Sequence, residues 1–483
     1  MLLRLCPATM TAQQTPEPDA NQPSAAQAKL SSGEMIPATL GHSAAGRFWL
    51  AVLLTGALTG LGAAALTRLL EWVQRTAWHG SGTNILEASQ GATAARRVLV
   101  LLAAGVLTGL GQLLLKQLSS GNGIDTTAAI WFYAGRMPAL RTLGSAVLSI
   151  FVVGMGTSMG REGAPKQAGA VFANFFSDRG KLSDEQRRLL VACGAGAGMG
   201  AAYGVPLGGA LFALEVMRGK LALRYVLPAL VASIVATGIS WFWLPNAPTY
   251  GIPSYANSAS VILWALLAAP LLALSAIGYI RAVRWADKNK PTGWQRLIAP
   301  IIGLTAVGAV AMWYPQILGN GKDISQLLFT GHVAPLLILA LVILKPAATI
   351  VSMRSGAPGG LFTPSLTAGA LVGGALGLLW SHFWPGVPAG LFALLGAGAM
   401  LGATTQGPIS AIVLLIELTG HARSFILPLF VIVCVATLVA RSIEGRSIYD
   451  AKLTDQQIAE RQRLRDATAQ EIWPQQESAQ EKT

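Results

Sequence analysis

A charged pair inside an apolar region constrains this chain more than any other feature of its sequence. Arg161 and Glu162 lie in the segment 160–165, and the surrounding residues 142–176 carry only Lys166 as a further charge. Ionisable groups at membrane depth cost about 2.5–3.5 kcal/mol each on insertion scales, so they usually mark a pathway for ions or protons. Glycines beside them let the backbone approach a passing ion, and a helix beginning there presents unpaired N–H groups that attract anions. The segment therefore predicts an ion pathway that favours anions.

The composition excludes an ordinary soluble protein. Hydrophobic residues make up 53% of the 483 residues and charged residues 12%, whereas globular chains carry roughly 25% charged residues. The 54 glycines agree with this, because small residues let transmembrane helices pack closely. A chain this apolar has room for on the order of ten or more spans of about 20 residues. We therefore expect an all-α, polytopic integral membrane protein.

The distribution of basic residues, cysteines and histidines argues against nucleic-acid, metal and cofactor binding. The net charge is +13, but the basic residues fall at the ends of apolar runs, as the positive-inside bias predicts, and they form no patch for nucleic acid. The three cysteines are far apart and the five histidines form no cluster. We expect no metal, no cofactor and no nucleic-acid partner. An enzyme is disfavoured because no group of acids, histidines or cysteines suited to bond chemistry sits at membrane depth.

Apolar runs divide the chain between two polar ends. Residues 1–45 are expected to form a flexible polar tail without a signal peptide, and residues 442–483 to form a cytoplasmic tail. Pro206 interrupts one apolar run, and residues 245–255 divide another into two spans. The predicted apolar segments are 48–67, 98–115, 142–159, 189–214, 225–280, 297–318, 333–344, 361–383, 391–420 and 424–440.

Three local patterns occur twice in the same order, which indicates an internal duplication. The matched residues are Gly121 and Gly319, Asn122 and Asn320, Gly123 and Gly321, Asp125 and Asp323, Ser158 and Ser352, Met159 and Met353, Pro206 and Pro408, and Glu215 and Glu417. We predict two repeats, 46–244 and 256–441. Repeats with helices broken by glycine and proline at matching positions point to a midplane substrate site built from half-helix ends. Hydropathy alone leaves inverted and parallel arrangements open.

These broken segments resemble the CLC family of chloride channels and proton-coupled chloride transporters over about residues 46–452. The GREGP element of the family matches residues 160–163, with Ala164 where proline is usual, and its GxFxP element matches residues 360–364. Tyr449 stands where the family has the tyrosine that closes the inner mouth of the anion path. The overall pattern is most similar to the bacterial ClcB-type branch.

The resemblance implies two inverted-topology repeats with broken and re-entrant helices, in a homodimer with one pore in each subunit. It also implies a multi-pass protein of the bacterial inner membrane that moves chloride or a similar small anion. The chain after Arg441 is too short for the paired cytoplasmic regulatory domains that some relatives carry.

The resemblance also implies the site. Glu162 would be the gate and proton carrier, although a carboxylate that merely stabilises a helix start is the plainer alternative. The anion-binding residues would be Asn122, Gly123, Arg161, Gly163, Gly360, Leu361, Phe362, Thr363 and Tyr449. Asn122 and Asp125 stand where many members have serine and proline, which leaves anion preference open. Asp125 is expected to cap the following half-helix.

One departure from the family pattern bears on mechanism. Proton-coupled members have two successive acids at the end of one helix, where this chain has Glu215 followed by Val216. Because valine cannot relay a proton, the sequence favours a passive anion channel gated by Glu162. A chloride/proton exchanger with water carrying protons past Val216 is the alternative. Glu215 and its repeat counterpart Glu417 are expected to be structural acids at helix ends that face the cytoplasm or a dimer contact. A cation channel would need rings of acidic residues and is disfavoured.

Overall fold

A computed structural model describes residues 45–79, 84–118, 125–255, 258–421, 425–451, 453–461 and 463. Every regular element in these ranges is helical. The predicted N-terminal tail lies outside the described residues except for Ala45, where the first helix begins.

Seven helices in the described ranges are long and apolar enough to cross a membrane. They are α1 (Ala45–Trp78), α3 (Ala94–Leu118), α9 (Leu223–Ser240), α10 (Ala259–Lys288), α13 (Pro335–Arg354), α14 (Phe362–Phe383) and α17 (Ile426–Ile443). The predicted segments 48–67, 98–115 and 225–280 fall within these helices, and 225–280 is divided into two as expected.

Shorter helices fill the spaces between these spans. They are α2 (Ile85–Gly91), α4 (Thr126–Phe132), α5 (Ala139–Gly154), α6 (Gly163–Arg179), α7 (Asp184–Tyr203), α8 (Pro206–Leu211), α11 (Gln295–Val310), α12 (Lys322–Phe329), α15 (Ala389–Thr405) and α16 (Pro408–Thr419). A π-helical turn, Phe212–Arg218, continues α8, and short 3₁₀ turns occupy Pro315–Ile317 and Ile448–Asp450. The apolar segment predicted over 391–420 divides into two helices, α15 and α16. The chain turns at Gln406, which has a φ of 60°, and Pro408 then starts a new helix, because a proline cannot continue the preceding one.

The two halves of the chain meet through backbone at the centre of the molecule. Gly160 and Gly360 form an antiparallel bridge in which each N–H donates to the other's carbonyl, at 2.8 and 2.7 Å. Immediately after the bridge, α6 starts at Gly163 and α14 starts at Phe362. Two helices, one from each half, therefore direct their N-termini toward the same central point.

A reciprocal contact between acids and helix starts supports the inverted arrangement of the halves. Glu215 accepts hydrogen bonds from the amide N–H groups of Ile409 at 3.2 Å and Ser410 at 2.6 Å, at the start of α16. Glu417 accepts them from the amides of Leu207 at 3.0 Å and Gly208 at 2.6 Å, at the start of α8. Each acid stabilises the first turn of the equivalent helix in the other half. The expectation that these acids are structural is confirmed, and their orientation toward the cytoplasm or a dimer contact stays a prediction.

Glycines permit the close helix packing that the composition predicted. A Cβ atom on Gly169 of α6 would lie 2.0 Å from the carbonyl oxygen of Gly194 in α7. A Cβ atom on Gly196 would lie 2.2 Å from the carbonyl oxygen of Gly209 in α8. Only a residue without a side chain allows backbones to approach this closely, as in other membrane helix pairs.

The described part of the predicted C-terminal tail folds back on the helices. Arg461 is buried and pairs with Asp450 through two contacts of 2.5 and 2.7 Å. Arg284, near the end of α10, pairs with Asp455 at 2.6 Å. Residues 464–483 lie outside the described residues.

Candidate anion site

Glu162 lies at the centre of the protein, with its carboxylate turned away from its own helix. It occupies the position before the first residue of α6, and only 3% of its surface is exposed. Its Oε1 accepts hydrogen bonds from the amide N–H of Phe362 at 2.7 Å and that of Thr363 at 3.4 Å. Its Oε2 accepts a hydrogen bond from the Thr363 hydroxyl at 3.2 Å. The carboxylate is therefore held by the start of the opposite half's helix.

This contact gives the carboxylate the position of a bound anion. The first N–H groups of a helix have no partner inside the helix, and together with the helix dipole they attract negative charge. Here the amides of Phe362 and Thr363 at the start of α14 are satisfied by Glu162. An external anion that used the same donors would have to displace the Glu162 side chain.

Glycines leave room for this side chain. A Cβ atom on Gly160 would lie 2.0 Å from Oε1 of Glu162, and one on Gly360 would lie 2.3 Å from the same atom. A Cβ atom on Gly163 would approach the amide nitrogen of Gly360 to 3.2 Å. The bridge glycines therefore form the walls of the cavity that holds the carboxylate, which is a physical reason for glycine at both positions.

Tyr203 is a member of this cluster that sequence reasoning missed. Its hydroxyl lies 2.8 Å from the hydroxyl of Thr363 and 3.4 Å from Oε2 of Glu162. The guanidinium carbon of Arg161 lies 4.9 Å from the centre of the Tyr203 ring. A tyrosine at the end of a run composed largely of glycine and alanine, 194–202, was the available signal, because nothing else there could donate a hydrogen bond from a side chain.

A cavity of about 110 Å³, called the inner cavity below, lies beside the Gly160–Gly360 bridge. Gly163, Gly360, Leu361 and Tyr449 line it, so four of the predicted site residues surround one space. The Tyr449 ring packs edge-on against Phe212, with ring centres 5.5 Å apart.

Lys166 also lines this cavity, and its ammonium lies 4.6 Å from the centre of the Tyr449 ring. Sequence reasoning assigned it no role. The signal was present, because a lysine in the first turn of a helix opposes the helix dipole.

Two of the predicted anion ligands, Asn122 and Gly123, lie outside the described residues. Asp125, which follows them, accepts a hydrogen bond from the amide of Thr127 at 2.9 Å at the start of α4. Its expected role as a helix cap is confirmed.

The fold and this site together define a class of protein: a polytopic helical membrane protein in which broken helices from two inverted halves form a central anion position. Residues 105–441 match the family model described as "Voltage gated chloride channel". The chain belongs to this family, the CLC family, and it transports anions across a membrane, as CLC proteins do. The resemblance, the fold class and the location in a bacterial cell membrane are thereby confirmed.

Relatives in the family carry two kinds of name. A protein named H(+)/Cl(-) exchange transporter ClcA, from Yersinia pseudotuberculosis, is 28% identical over 424 residues, covering 82% of this chain and 85% of that protein. A protein named voltage-gated ClC-type chloride channel ClcB, from Salmonella typhi, is 30% identical over 419 residues, covering 82% and 96%. The ClcB protein of Citrobacter koseri is 32% identical over 324 residues, covering 64% and 75%.

Solved structures of two CLC proteins share the fold. A slow cyanobacterial Cl⁻/H⁺ antiporter superposes with a TM-score of 0.73 at 21% identity, covering 87% of this chain and 98% of that one. A CLC-type fluoride/proton antiporter superposes with a TM-score of 0.66 at 22% identity, covering 84% and 97%.

Proposed function

We propose that this protein exchanges chloride for protons, with Glu162 as both the gate and the proton carrier. The observation that carries the proposal is the Glu162 carboxylate at the start of α14, where it takes the donors that an anion would need. The ClcA relative, named an exchanger and aligned over 82% of this chain, supports coupling. The passive channel favoured from the sequence becomes the second candidate.

The geometry supports a simple competition between carboxylate and anion. In its ionised form Glu162 is bound by two amides and the Thr363 hydroxyl. A protonated carboxyl has no charge to offer these donors, so chloride replaces it and the neutral side chain moves away with its proton. Loss of that proton on the other side of the gate returns the carboxylate and expels the chloride. Movement of one ion thereby requires movement of the other.

We propose the anion ligands from the residues that surround the Glu162 carboxylate and the inner cavity. The amides at 360–363 and the Thr363 hydroxyl supply donors on one side, Arg161 and Gly163 lie on the facing segment, and Tyr449 lines the inner cavity. Asn122 and Gly123 are proposed from the family motif alone.

Proton access to Glu162 has to be explained separately, because this chain has no acid at the position where proton-coupled members have one. Glu215 is engaged with the start of α16, and the next residue, Val216, is buried. A cavity of about 690 Å³ reaches both residues and is also lined by Arg441 and Asp450. Since a water molecule needs about 30 Å³, we propose that water in this cavity brings protons past Val216.

A passive chloride channel is the second candidate. Val216 favours it, because the chain lacks the internal acid that coupled members use. The ClcB relatives, which are named channels, favour it as well. Both candidates use the same scaffold and the same Glu162, and they differ in whether protons move with chloride.

We also propose a homodimer, with each subunit holding a complete pathway. The family resemblance supports this assembly, and the hydrogen bonds of the Glu162 carboxylate to Tyr203, Phe362 and Thr363 all come from its own chain. Chemical cross-linking in native membranes followed by mass analysis tests it.

Simultaneous recording of chloride and proton flux tests the proposed exchange. Purified protein is placed in liposomes loaded with high chloride and diluted into low chloride at equal pH, with potassium and valinomycin clamping the voltage. Exchange predicts that chloride efflux drives protons inward, so the external solution becomes alkaline without any initial proton gradient. Chloride efflux with no pH change would establish the channel instead.

Glu162→Gln serves as the matched variant, because it keeps the side-chain shape and cannot carry a proton. We expect it to move chloride while proton movement falls at least tenfold. A Glu162→Gln protein that still couples the two ions would remove Glu162 from the mechanism.

A further inference from the structure

A groove of about 450 Å³ lies among three helix ends, outside the cavity that Tyr449 lines. It is bounded by the end of α10, the start of α11 and the end of α13. Its walls are mainly apolar and include Trp285, Trp294, Ile298, Ile302 and Val351.

The groove opens at the cytoplasmic boundary of the membrane. The end of α10 is followed by a dense group of cations, and its own Arg284 pairs with Asp455 of the C-terminal segment. The positive-inside bias assigns this side to the cytoplasm. Trp285 and Trp294 are 52% and 72% exposed, and tryptophan concentrates at the level of the lipid headgroups. A bilayer therefore supplies lipid directly to the mouth of this groove.

The apolar walls fit an acyl chain rather than water. Ile302 is 64% exposed and Val351 is 40% exposed, and both line the groove. An exposed apolar wall at membrane depth normally contacts bulk lipid. Here the wall is concave, so an acyl chain inside it would contact protein on several sides and gain dispersion contacts that a flat surface does not provide.

The polar end of the groove carries positive charge. The guanidinium of Arg354, at the end of α13, lies 5.1 Å from the centre of the Trp285 ring. In the described part of the chain no carboxylate forms an ion pair with Arg354. The acid nearest in sequence to Trp285, Asp287, is paired with Lys290 at 2.5 Å. A guanidinium in this setting matches a phosphate group, which it binds through paired N–H donors.

We propose that this groove is a binding site for an anionic phospholipid, whose phosphate contacts Arg354 and whose acyl chain lies along Ile298, Ile302 and Val351. Three features together support this assignment. The apolar groove opens at the level of the lipid headgroups and has aromatic residues at its mouth. At its polar end lies a cation that forms no ion pair with a described carboxylate. Phosphatidylglycerol has the required chemistry, whereas phosphatidylcholine carries a compensating positive charge.

The site lies next to the segment that forms the inner cavity of the anion path. Ser355 belongs to the groove, and residues 357–361 line the inner cavity. The carbonyl of Gly356, between the two, accepts a hydrogen bond from the side chain of Gln112 at 2.8 Å. A lipid that fills the groove therefore stabilises the chain that leads into the central bridge, and its removal is expected to slow anion flux.

Native mass spectrometry of the full-length protein with added phosphatidylglycerol or phosphatidylcholine tests the proposal. Wild-type protein is expected to retain phosphatidylglycerol in preference to phosphatidylcholine. Since a basic residue near a membrane surface contributes about 1 kcal/mol to anionic lipid binding, Arg354→Gln should weaken retention about fivefold. Ile302→Trp, which fills the groove without removing a charge, should weaken it as well.

Two variants control for charge and for bulk. Arg179→Gln removes another cation that rests on an aromatic ring at a helix end, with its guanidinium 5.0 Å from the Phe175 ring centre. Ile343→Trp enlarges a residue of α13 that is 70% exposed and outside the groove. Both should retain lipid as the wild type does. Equal retention of the two lipids, or wild-type retention by Arg354→Gln and Ile302→Trp, would overturn the proposal. Equal occupancy by glycerol phosphate alone would overturn it in favour of a small-anion site.

Discussion

Oε1 of Glu162 lies 2.7 Å from the amide nitrogen of Phe362, although the two residues are 200 positions apart in the chain. One half of the protein thus supplies the negative charge, and the other half supplies the helix start that binds it. This contact forms where the Gly160–Gly360 bridge joins the halves. Gating by Glu162 requires that a free anion can replace the carboxylate in this contact.

Gly360→Ala should disturb the gate specifically. The added Cβ atom would lie 2.3 Å from Oε1 and 2.5 Å from the carboxyl carbon of Glu162. We expect a destabilisation of about 1–3 kcal/mol and altered coupling in the liposome assay. Gly374→Ala, within the helix α14 that follows Gly360, is the control, because its nearest neighbour outside the helix would be 3.7 Å away.

A second substitution separates this clash from a general backbone effect. Because the atoms nearest to the added Cβ all belong to Glu162, the double variant Gly360→Ala with Glu162→Ala should recover the stability of Glu162→Ala alone. A double variant that stays destabilised would show that the cause lies in the backbone.

Glu215→Ala and Glu417→Ala should each lower the free energy of unfolding by about 1.5–3 kcal/mol, the usual contribution of hydrogen bonds to a charged group. Each removes the acceptor for two amides at the start of a helix. Reversible unfolding in mixed micelles measures the change. Glu71→Ala is the comparison, since Glu71 forms ion pairs with the exposed cations Arg68 and Arg75 and should change stability by less than about 1 kcal/mol. Equal effects in all three variants would contradict the capping role.

Lys166→Gln should reduce chloride flux at low chloride concentration. Its ammonium lies over the Tyr449 ring beside the inner cavity, so it contributes a positive potential where anions enter or leave. We expect a fall of about tenfold, which shrinks as an impermeant salt screens the charge. Lys288→Gln, at the exposed end of α10, should have little effect. A reduction that is independent of ionic strength would indicate a structural role for Lys166.

Lys345→Met should destabilise the protein strongly. Lys345 is buried at 1% exposure, and its ammonium donates hydrogen bonds to the carbonyls of Ile317 at 2.8 Å, Leu318 at 3.3 Å and Gly319 at 2.7 Å. Loss of the donor leaves buried acceptors unpaired, at about 1–3 kcal/mol for each one that water cannot reach. Thermal unfolding in detergent measures the change, with the exposed Lys116→Met as the control. An unchanged unfolding temperature would show that water replaces the ammonium.

Much of the fold was predictable from the sequence because apolar runs and proline or glycine breaks are local signals. The first helix, the two spans within 225–280 and the interruption at Pro206 follow directly from such signals. Pro408, the repeat counterpart of Pro206, likewise begins a new helix after the turn at Gln406. Short helices such as α2 and α12 were missed because seven or eight residues are too few to show a clear periodicity.

The candidate site was predictable only in part. The motif indicated Glu162 and the 360–364 segment separately, but their contact depends on the bridge between halves, which no local pattern encodes. Tyr203 is near Glu162 only because α7 ends beside the start of α14. The repeat boundaries and the roles of the anion ligands stay predictions.

The most direct test of gating by Glu162 is anomalous diffraction from crystals grown in bromide, for the wild type and for Glu162→Ala. If the Glu162 carboxylate occupies an anion position, the alanine variant should gain a bromide within hydrogen-bonding distance of the Phe362 and Thr363 amides, where the wild type binds none. Absence of bromide from those amides in Glu162→Ala, or its presence there beside an unmoved carboxylate in the wild type, would contradict this mechanism.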